Sequence, residues 1–160
     1  MEECSVAIPD KYLKVLKIII NKIGNKNIVW ALSGSISLAL QGIEVTINDI
    51  DILTNEHGAK ELDNLLKEYC VQKSEYSSTE ICRSIYGKYE INNIAVEIMA
   101  NYQYKLKTGE WSKLNNLNDI IMYSYKGMRI RALTLKQRLQ EYEDAGKENR
   151  ALKIKEKLKR

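Results

Sequence analysis

The chain of 160 residues has no phenylalanine, one proline and a single histidine, His57. One histidine excludes a histidine-rich metal site, and no serine–histidine–aspartate triad finds support in the sequence. The three cysteines, Cys4, Cys70 and Cys82, are odd in number and lack the spacing of a zinc site. We therefore expect free thiols in a reducing compartment.

Long apolar runs are also missing. The longest covers residues 28–32, far fewer than the roughly 20 residues that span a membrane. The N-terminus is acidic and lacks the apolar core of a signal peptide. A content of 44% hydrophobic and 29% charged residues is ordinary for a globular domain. We therefore expect a cytoplasmic protein with no membrane segment.

The net charge of +4 comes from the C-terminus. Residues 147–160 include seven basic and two acidic side chains, so this segment carries +5 and the rest of the chain −1. Such a segment is typical of a solvated helix face. Binding of RNA or of an acidic partner is the other interpretation.

The apolar spacing predicts an α/β (α+β) fold in which helices flank a mixed sheet. Strands are expected at 28–32, 48–53, 81–91, 94–99, 120–125 and 128–132. Helices are expected at 10–23, at 36–41, from a cap at Thr54 or Asn55 to Tyr69, and at 101–108. A C-terminal helical hairpin would begin at a Thr134 cap, break at Gly146 and continue over 151–158. This organisation predicts a domain over 1–132 with the hairpin, 133–160, packed on it.

Two aspartates, Asp49 and Asp51, stand two positions apart within an apolar run. On a strand they would point to one face, while Ile50 and Ile52 would point to the other. Carboxylates that are buried together repel each other unless a cation lies between them, and a divalent metal ion is the simplest candidate. The alternative is a strand end with two solvated acids.

A third acid, Glu97, lies in the apolar stretch 94–99. It needs a partner there unless its strand is an edge strand with Glu97 facing water. If this strand lies beside the one with the two aspartates, the three carboxylates would suit one or two Mg²⁺ ions. Gly34 and Ser35, between a strand and a helix, would offer backbone N–H groups to a phosphate, although such a pair is also a common helix cap.

The sequence LSGS at 32–35, then thirteen residues, then DIDI at 49–52 and a later strand with Glu97, resembles the nucleotidyltransferase superfamily of DNA polymerase β. The resemblance covers about 27–99. It is greatest to small stand-alone prokaryotic members near the lincosamide and aminoglycoside adenylyltransferases and the abortive-infection nucleotidyltransferases. A nucleotidyltransferase fold is the expected architecture.

The resemblance implies a role for each residue of the motif. Gly34 and Ser35 would bind the β- and γ-phosphates of a nucleoside triphosphate. Asp49, Asp51 and Glu97 would bind Mg²⁺ and form the catalytic site, with Glu97 also a candidate general base. A hydroxyl of a small molecule, protein or RNA would attack the α-phosphorus, accept a nucleoside monophosphate such as AMP, and release pyrophosphate.

The sequence departs from the superfamily at one basic position. Many relatives have an Arg-x-Thr-x-Asp pattern, but Val45 and Ile47 stand in those places here. A basic contact to the triphosphate is therefore either missing or supplied by Lys26, Arg83 or Lys88. The departure keeps an alternative open, namely a nucleotidyltransferase-fold module, antitoxin-like or a sensor, that binds nucleotide or a partner protein without turnover. A homo-oligomer would offer an acceptor cleft between subunits.

Two weaker signals in the sequence concern the histidine and three aromatic residues. We expect His57 to be an ordinary side chain in the first turn of a helix. We expect Tyr102, Tyr104 and Trp111 to pack against other side chains, with base stacking as the alternative.

Overall fold

The computed structural model describes residues 2–3, 8–115 and 117–159, and the expectation for Cys4 lies outside them. The strands are β1 (Glu2–Glu3), β2 (Trp30–Ser33), β3 (Ile50–Thr54), β4 (Cys70–Ser78), β5 (Cys82–Ile91), β6 (Ile94–Tyr104), β7 (Ile120–Tyr125) and β8 (Met128–Leu133). The helices are α1 (Asp10–Ile23), α2 (Gly34–Leu40), α3 (Glu56–Leu65), α4 (Leu135–Asp144) and α5 (Glu148–Leu158), with a 3₁₀ turn at Lys67–Tyr69.

The described strands form one mixed sheet in the order β1-β7-β8-β2-β3-β6-β5-β4. The pairs β1–β7, β2–β8 and β3–β6 are parallel, and the other neighbours are antiparallel. This confirms the predicted mixed sheet flanked by helices. Since β2 and β3 lie in the middle of the sheet, the residues at their ends have neighbouring strands on both sides.

The main hydrophobic core lies between one face of the sheet and helices α1 and α3. Ile50 and Ile52 of β3 and Ile98 of β6 point into it and have no exposed surface. Helix α1 contributes an apolar stripe that includes Leu16 and Ile19. Because side chains alternate along a strand, the residues next to these isoleucines face the opposite side of the sheet.

Helices α4 and α5 form the predicted C-terminal hairpin and turn at Gly146, where φ is +77°. Tyr142 of α4 and Ile154 of α5 pack with Leu38 of α2 in a second, smaller core. Thr134 caps α4 as expected, because its side chain accepts a hydrogen bond from the backbone N–H of Gln137. In the described chain, no helix has the length and apolar content needed to cross a membrane.

The structure corrects the helix that the sequence predicts at 101–108. Strand β6 continues through Tyr104, and Lys105 forms an isolated bridge with Trp111. Asn101 has a φ of +54°, and the pairing of β6 with β5 shifts register nearby, as in a β-bulge. The extra residue at the bulge interrupts the alternation of side chains, which explains why the strand pattern was not recognised.

Two strands and several boundaries were missed. Strand β4 was not predicted as a separate strand, since nearly all of its side chains are exposed and give no apolar alternation. The two-residue β1 was not predicted. The strand expected at 28–32 lies at Trp30–Ser33 and that expected at 48–53 lies at Ile50–Thr54, shifts that are common at element ends.

Candidate active site

The three acids meet where β3 and β6 pair. Asp51 lies opposite Glu97 in the parallel register, and Asp49 directly precedes β3. One carboxylate oxygen from each side chain lies within 4.8 Å of the other two. The two strands are therefore neighbours, as the three-carboxylate hypothesis required.

The three carboxylates repel one another. Burial raises the pKa of Asp51 to about 8, and the charges of Asp49 and Glu97 contribute to this increase. Burial and then the charge of Glu97 also raise the pKa of Asp49, whereas the charge of Lys88 lowers it. A divalent cation would offset this repulsion, and a donor set made only of carboxylate oxygens fits Mg²⁺.

Gly34 brings the start of α2 into contact with the acids. Its φ is +63°, and a Cβ atom at this position would lie 1.9 Å from Oδ2 of Asp51. Glycine is required for both reasons, because a side chain would be strained and would displace the carboxylate. Ser35 follows in the first turn of α2. We call these two residues the glycine–serine turn.

Tyr86 of β5 is a site residue that sequence reasoning missed. Its hydroxyl donates a hydrogen bond to Oε1 of Glu97 at 2.8 Å. Burial and this hydrogen bond raise the pKa of Tyr86, so the phenol stays a neutral donor. Tyr86 and Lys88 alternate along β5, and this spacing was the available signal that both share a face with Glu97.

Arg138 of α4 was also missed, and it supplies a cation near the paired aspartates. Its Nη1 donates to Oγ of Ser33 at 2.9 Å and to Oε2 of Glu141 at 3.1 Å, and its Nη2 donates to the hydroxyl of Tyr142. The charge of Arg138 lowers the pKa of Asp51. No local pattern reveals this, because Arg138 follows Ser33 by 105 positions.

The three basic residues expected to contact the triphosphate have different surroundings. Lys88 lies opposite Glu97 in the pairing of β5 with β6, beside the acids. Arg83 lies farther along the sheet, where its guanidinium stacks on Trp111 at 4.4 Å. Lys26 lies in the turn before β2, at the other end of that strand from the glycine–serine turn. Lys88 is therefore the one of these three that the fold brings to the acids.

The weaker candidates lie away from the acids or pack as expected. His57 is exposed in the first turn of α3, which follows the opposite end of β3 from Asp49. The ring of Trp111 lies beneath Arg83 and Lys105, the latter at 4.1 Å. These contacts support the expected packing role for the tryptophan.

Two cavities of about 250 and 380 Å³ lie on the acidic face of the sheet. Both are lined by Tyr102, Tyr104 and Glu141. The larger one also includes Leu53, which is two positions after Asp51 and so points to the same side of β3. The larger cavity therefore lies on the same face of β3 as Asp51, while the three acids are not among the residues that line either cavity.

The fold and the acid cluster define the nucleotidyltransferase class. The family profile of aminoglycoside-2″-adenylyltransferases matches residues 15–158. A candidate nucleotidyltransferase from Thermotoga maritima has 35% sequence identity over 97% of both chains, with a TM-score of 0.82. This chain belongs to the aminoglycoside-2″-adenylyltransferase family, which confirms the resemblance seen in the sequence.

More distant structures share the fold. ANT(2″)-Ia in complex with adenylyl-2″-tobramycin is 9% identical, with a TM-score of 0.58 over 92% of this chain and 90% of that one. The lincosamide antibiotic adenylyltransferase LnuA, with lincomycin bound, is 12% identical, with a TM-score of 0.57 over 92% and 97%. At these identities the likeness shows the fold alone. No protein with a curated description matches this chain.

Proposed function

We propose that this chain is a Mg²⁺-dependent nucleotidyltransferase that transfers a nucleoside monophosphate, AMP in the first instance, to an acceptor hydroxyl. The observation that carries this proposal is the cluster of Asp49, Asp51 and Glu97, whose oxygens lie within 4.8 Å of one another. The close approach of Gly34 to the same cluster supports it. AMP is the preferred group because LnuA is an adenylyltransferase and ANT(2″)-Ia is complexed with an adenylylated product.

Each residue of the cluster has a proposed role. Asp49, Asp51 and Glu97 would hold Mg²⁺, and Gly34 and Ser35 would bind the β- and γ-phosphates. When bound, Mg²⁺ neutralises the triphosphate and stabilises the charge that develops during phosphoryl transfer. The backbone at Gly34 can approach a phosphate closely because glycine has no side chain.

The proposed reaction is a single displacement at the α-phosphorus. The acceptor oxygen forms a bond to this phosphorus while the bond from the phosphorus to the β-phosphate oxygen breaks, and pyrophosphate leaves. The hydroxyl proton must pass to a base, and Glu97 is the candidate. Tyr86 holds the carboxylate of Glu97 in place through its hydrogen bond, so a general base there would be oriented before the acceptor binds.

We assign the acceptor to the larger of the two cavities. Tyr102 and Tyr104 provide aromatic walls, Glu141 and Asp144 provide two carboxylates, and Lys113 provides one ammonium group, so the lining has an excess of negative charge. Burial raises the pKa of Tyr104 to about 12, so this phenol is neutral and the negative charge comes from the carboxylates. Aromatic faces together with carboxylates favour a cationic compound with hydroxyl groups. Tobramycin, adenylylated in the ANT(2″)-Ia complex, is the first acceptor to test.

Nucleotide binding can be tested by thermal shift with ATP, GTP, CTP and UTP, each with and without Mg²⁺. We expect a Mg²⁺-dependent rise in Tm for the wild type and none for the Asp49→Asn/Asp51→Asn variant. Asp10→Asn is the matched control, since Asp10 is an exposed acid at the start of α1, and its shift should equal that of the wild type. The absence of a shift in the wild type with every nucleotide would refute the proposal.

A turnover assay distinguishes the proposed enzyme from the alternative, a module that binds nucleotide without reaction. Pyrophosphate release should require both an NTP and a hydroxyl acceptor, and mass spectrometry should find the acceptor heavier by one nucleoside monophosphate. The Asp49→Asn/Asp51→Asn variant should release no pyrophosphate. If nucleotide binds but neither tobramycin nor lincomycin is modified, a wider acceptor screen follows, and failure of that screen would favour the binding module.

A further inference from the structure

Arg138 is more deeply buried than its charge alone would favour. It is 3% exposed, and its one ionic partner among the described residues is Glu141. Its Nε atom has no hydrogen-bond partner in that part of the chain. Apolar residues often stabilise such a position as well as a buried ion pair does. The donors and charge of Arg138 therefore point to a role beyond stability.

One contact of Arg138 leads to the glycine–serine turn. Ser33 is the N-cap residue of α2, yet its side chain makes no capping hydrogen bond. Its Oγ instead accepts a hydrogen bond from Arg138. Ser33 also pairs with Asp51 across β2 and β3 and directly precedes Gly34. Arg138 thus holds the residue that leads into the turn.

Another contact of Arg138 leads to the proposed acceptor site. The same Nη1 atom that contacts Ser33 donates to Glu141, and Glu141 lines both cavities. Glu141 is one turn along α4 from Arg138, so the ion pair lies along the helix. The Arg138 guanidinium therefore contacts both Ser33, which precedes the glycine–serine turn, and Glu141, which lines the proposed acceptor site.

We propose that Arg138 is a positioning residue that fixes the glycine–serine turn and Glu141 relative to each other. This inference rests on the proposed nucleotidyltransferase function. Without the guanidinium, the side chain of Ser33 is released and can cap α2, and the buried Glu141 carboxylate loses its ionic partner. The turn would then no longer be held in the geometry that binds a triphosphate. Arg138 acts through Ser33 and Glu141, and contact with the substrate is not part of its role.

The test is the affinity for Mg²⁺ and α,β-methylene ATP, an analogue that cannot transfer AMP, measured by calorimetry well below the Tm of every variant. We expect Arg138→Gln to raise the Kd about tenfold or more, as the loss of a supporting contact often does. Arg138→Lys should lie between it and the wild type, because lysine keeps the charge but not the planar fork. Ser33→Ala should raise the Kd in the wild type but have little further effect beside Arg138→Gln.

Arg131→Gln is the matched control. Arg131 also has a buried Nε with no hydrogen-bond partner in the described residues, but it lies on β8, and its charge is not among those that act on Asp51. We expect this variant to keep the wild-type Kd. A role in stability alone would lower the Tm of Arg138→Gln and leave its Kd unchanged, and that result would overturn the inference.

The outcomes separate the inference from the proposed function. If the wild type does not bind the analogue, with the other nucleotides also negative, the proposed function fails and the inference fails with it. If the wild type binds and Arg138→Gln binds equally well, the inference alone fails. Should Arg138→Gln not fold, Ser33→Ala removes the neutral partner through which Arg138 reaches the glycine–serine turn and leaves the ion pair with Glu141 intact. An unchanged Kd in Ser33→Ala would overturn the inference.

Discussion

At Gly34, the lack of a side chain decides whether the carboxylate of Asp51 can reach the glycine–serine turn. We predict that Gly34→Ala lowers stability and abolishes the Mg²⁺-dependent nucleotide shift, because its Cβ would collide with Oδ2 of Asp51. The left-handed φ by itself costs about 1–2 kcal/mol for alanine. Chemical denaturation and thermal shift would measure the two effects.

Gly109→Ala is the control for the backbone cost. Gly109 has a φ of +89°, and a Cβ at this position would have nothing within 4 Å. The Gly109→Ala variant should therefore lose only the stability that the left-handed φ costs alanine, and its Mg²⁺-dependent nucleotide shift should be unchanged. Equal losses of stability and binding in both variants would show that the contact between Gly34 and Asp51 has no role of its own.

The raised pKa of Asp51 gives a prediction for stability against pH. The pKa is about 8 in the folded chain and 3.8 as the ordinary value, so the folded state favours the protonated carboxyl. Its contribution to stability is complete below pH 4 and is lost as the pH rises towards 8. With a metal chelator in the buffer at pH 8, the free energy of unfolding of Asp51→Asn should thus exceed that of the wild type. The difference should be at least about 1.4 kcal/mol, the equivalent of one pKa unit.

Denaturation at pH 4 and pH 8 would measure this difference. The advantage of Asp51→Asn should be small at pH 4 and should grow towards pH 8. Mg²⁺ at pH 8 should stabilise the wild type but not the variant. A constant advantage at both pH values would contradict the assigned cause, which is burial of the carboxylate together with the charges of Asp49 and Glu97.

At the scale of the elements, helices α4 and α3 lie on opposite faces of the sheet, and each begins with a capping side chain. Thr134 caps α4, which carries Arg138, and Asn55 caps α3, which packs on the other face. Thr134→Ala and Asn55→Ala should each cost about 1 kcal/mol in stability. We expect only Thr134→Ala to weaken Mg²⁺-nucleotide binding, by a few fold, because fraying of α4 would move Arg138.

Denaturation and calorimetry on the two cap variants would test this expectation. Since both variants lose one capping hydrogen bond, any difference in nucleotide affinity reports on the position of the helix rather than on overall stability. Equal affinities would show that the start of α4 is not needed for the site.

At the scale of the whole molecule, the C-terminal hairpin is bound to the rest of the chain by a small core. Ile154 is fully buried there, whereas Leu152, two positions earlier on the same helix, is 55% exposed. Ile154→Ala should cost about 2–5 kcal/mol, and Leu152→Ala should change stability by less than about 0.5 kcal/mol. A single cooperative transition for Ile154→Ala would support the proposal that 133–160 belongs to the same domain as 1–132.

Chemical denaturation monitored by two signals would show whether the hairpin unfolds together with the rest of the chain. Tryptophan fluorescence reports on Trp30 and Trp111 outside the hairpin, while circular dichroism reports on all helices. Separate transitions in the two signals would show that the hairpin unfolds independently and would contradict the proposed organisation. The role of the basic residues of α5 in binding RNA or an acidic partner stays a prediction.

The local sequence pattern was sufficient to predict a helix or strand wherever one face of that element is buried and the other is exposed. The alternation of Asp49, Ile50, Asp51 and Ile52 predicted both the strand and the face of each side chain, because a period of two leaves one arrangement that buries the isoleucines. The same reasoning placed Glu97 on a strand. It failed at Asn101, where a bulge breaks the period.

The sequence by itself determined the mixed fold, its central strands and the three acids, since each follows from apolar periodicity or from spacing within a short segment. Only the tertiary structure decided that β6 lies beside β3 in a register that sets Asp51 opposite Glu97. It also decided that Arg138 reaches Ser33 from a helix 105 positions later. The physical reason is that strand neighbours and buried ion pairs depend on how the whole chain closes its core, which no local period encodes.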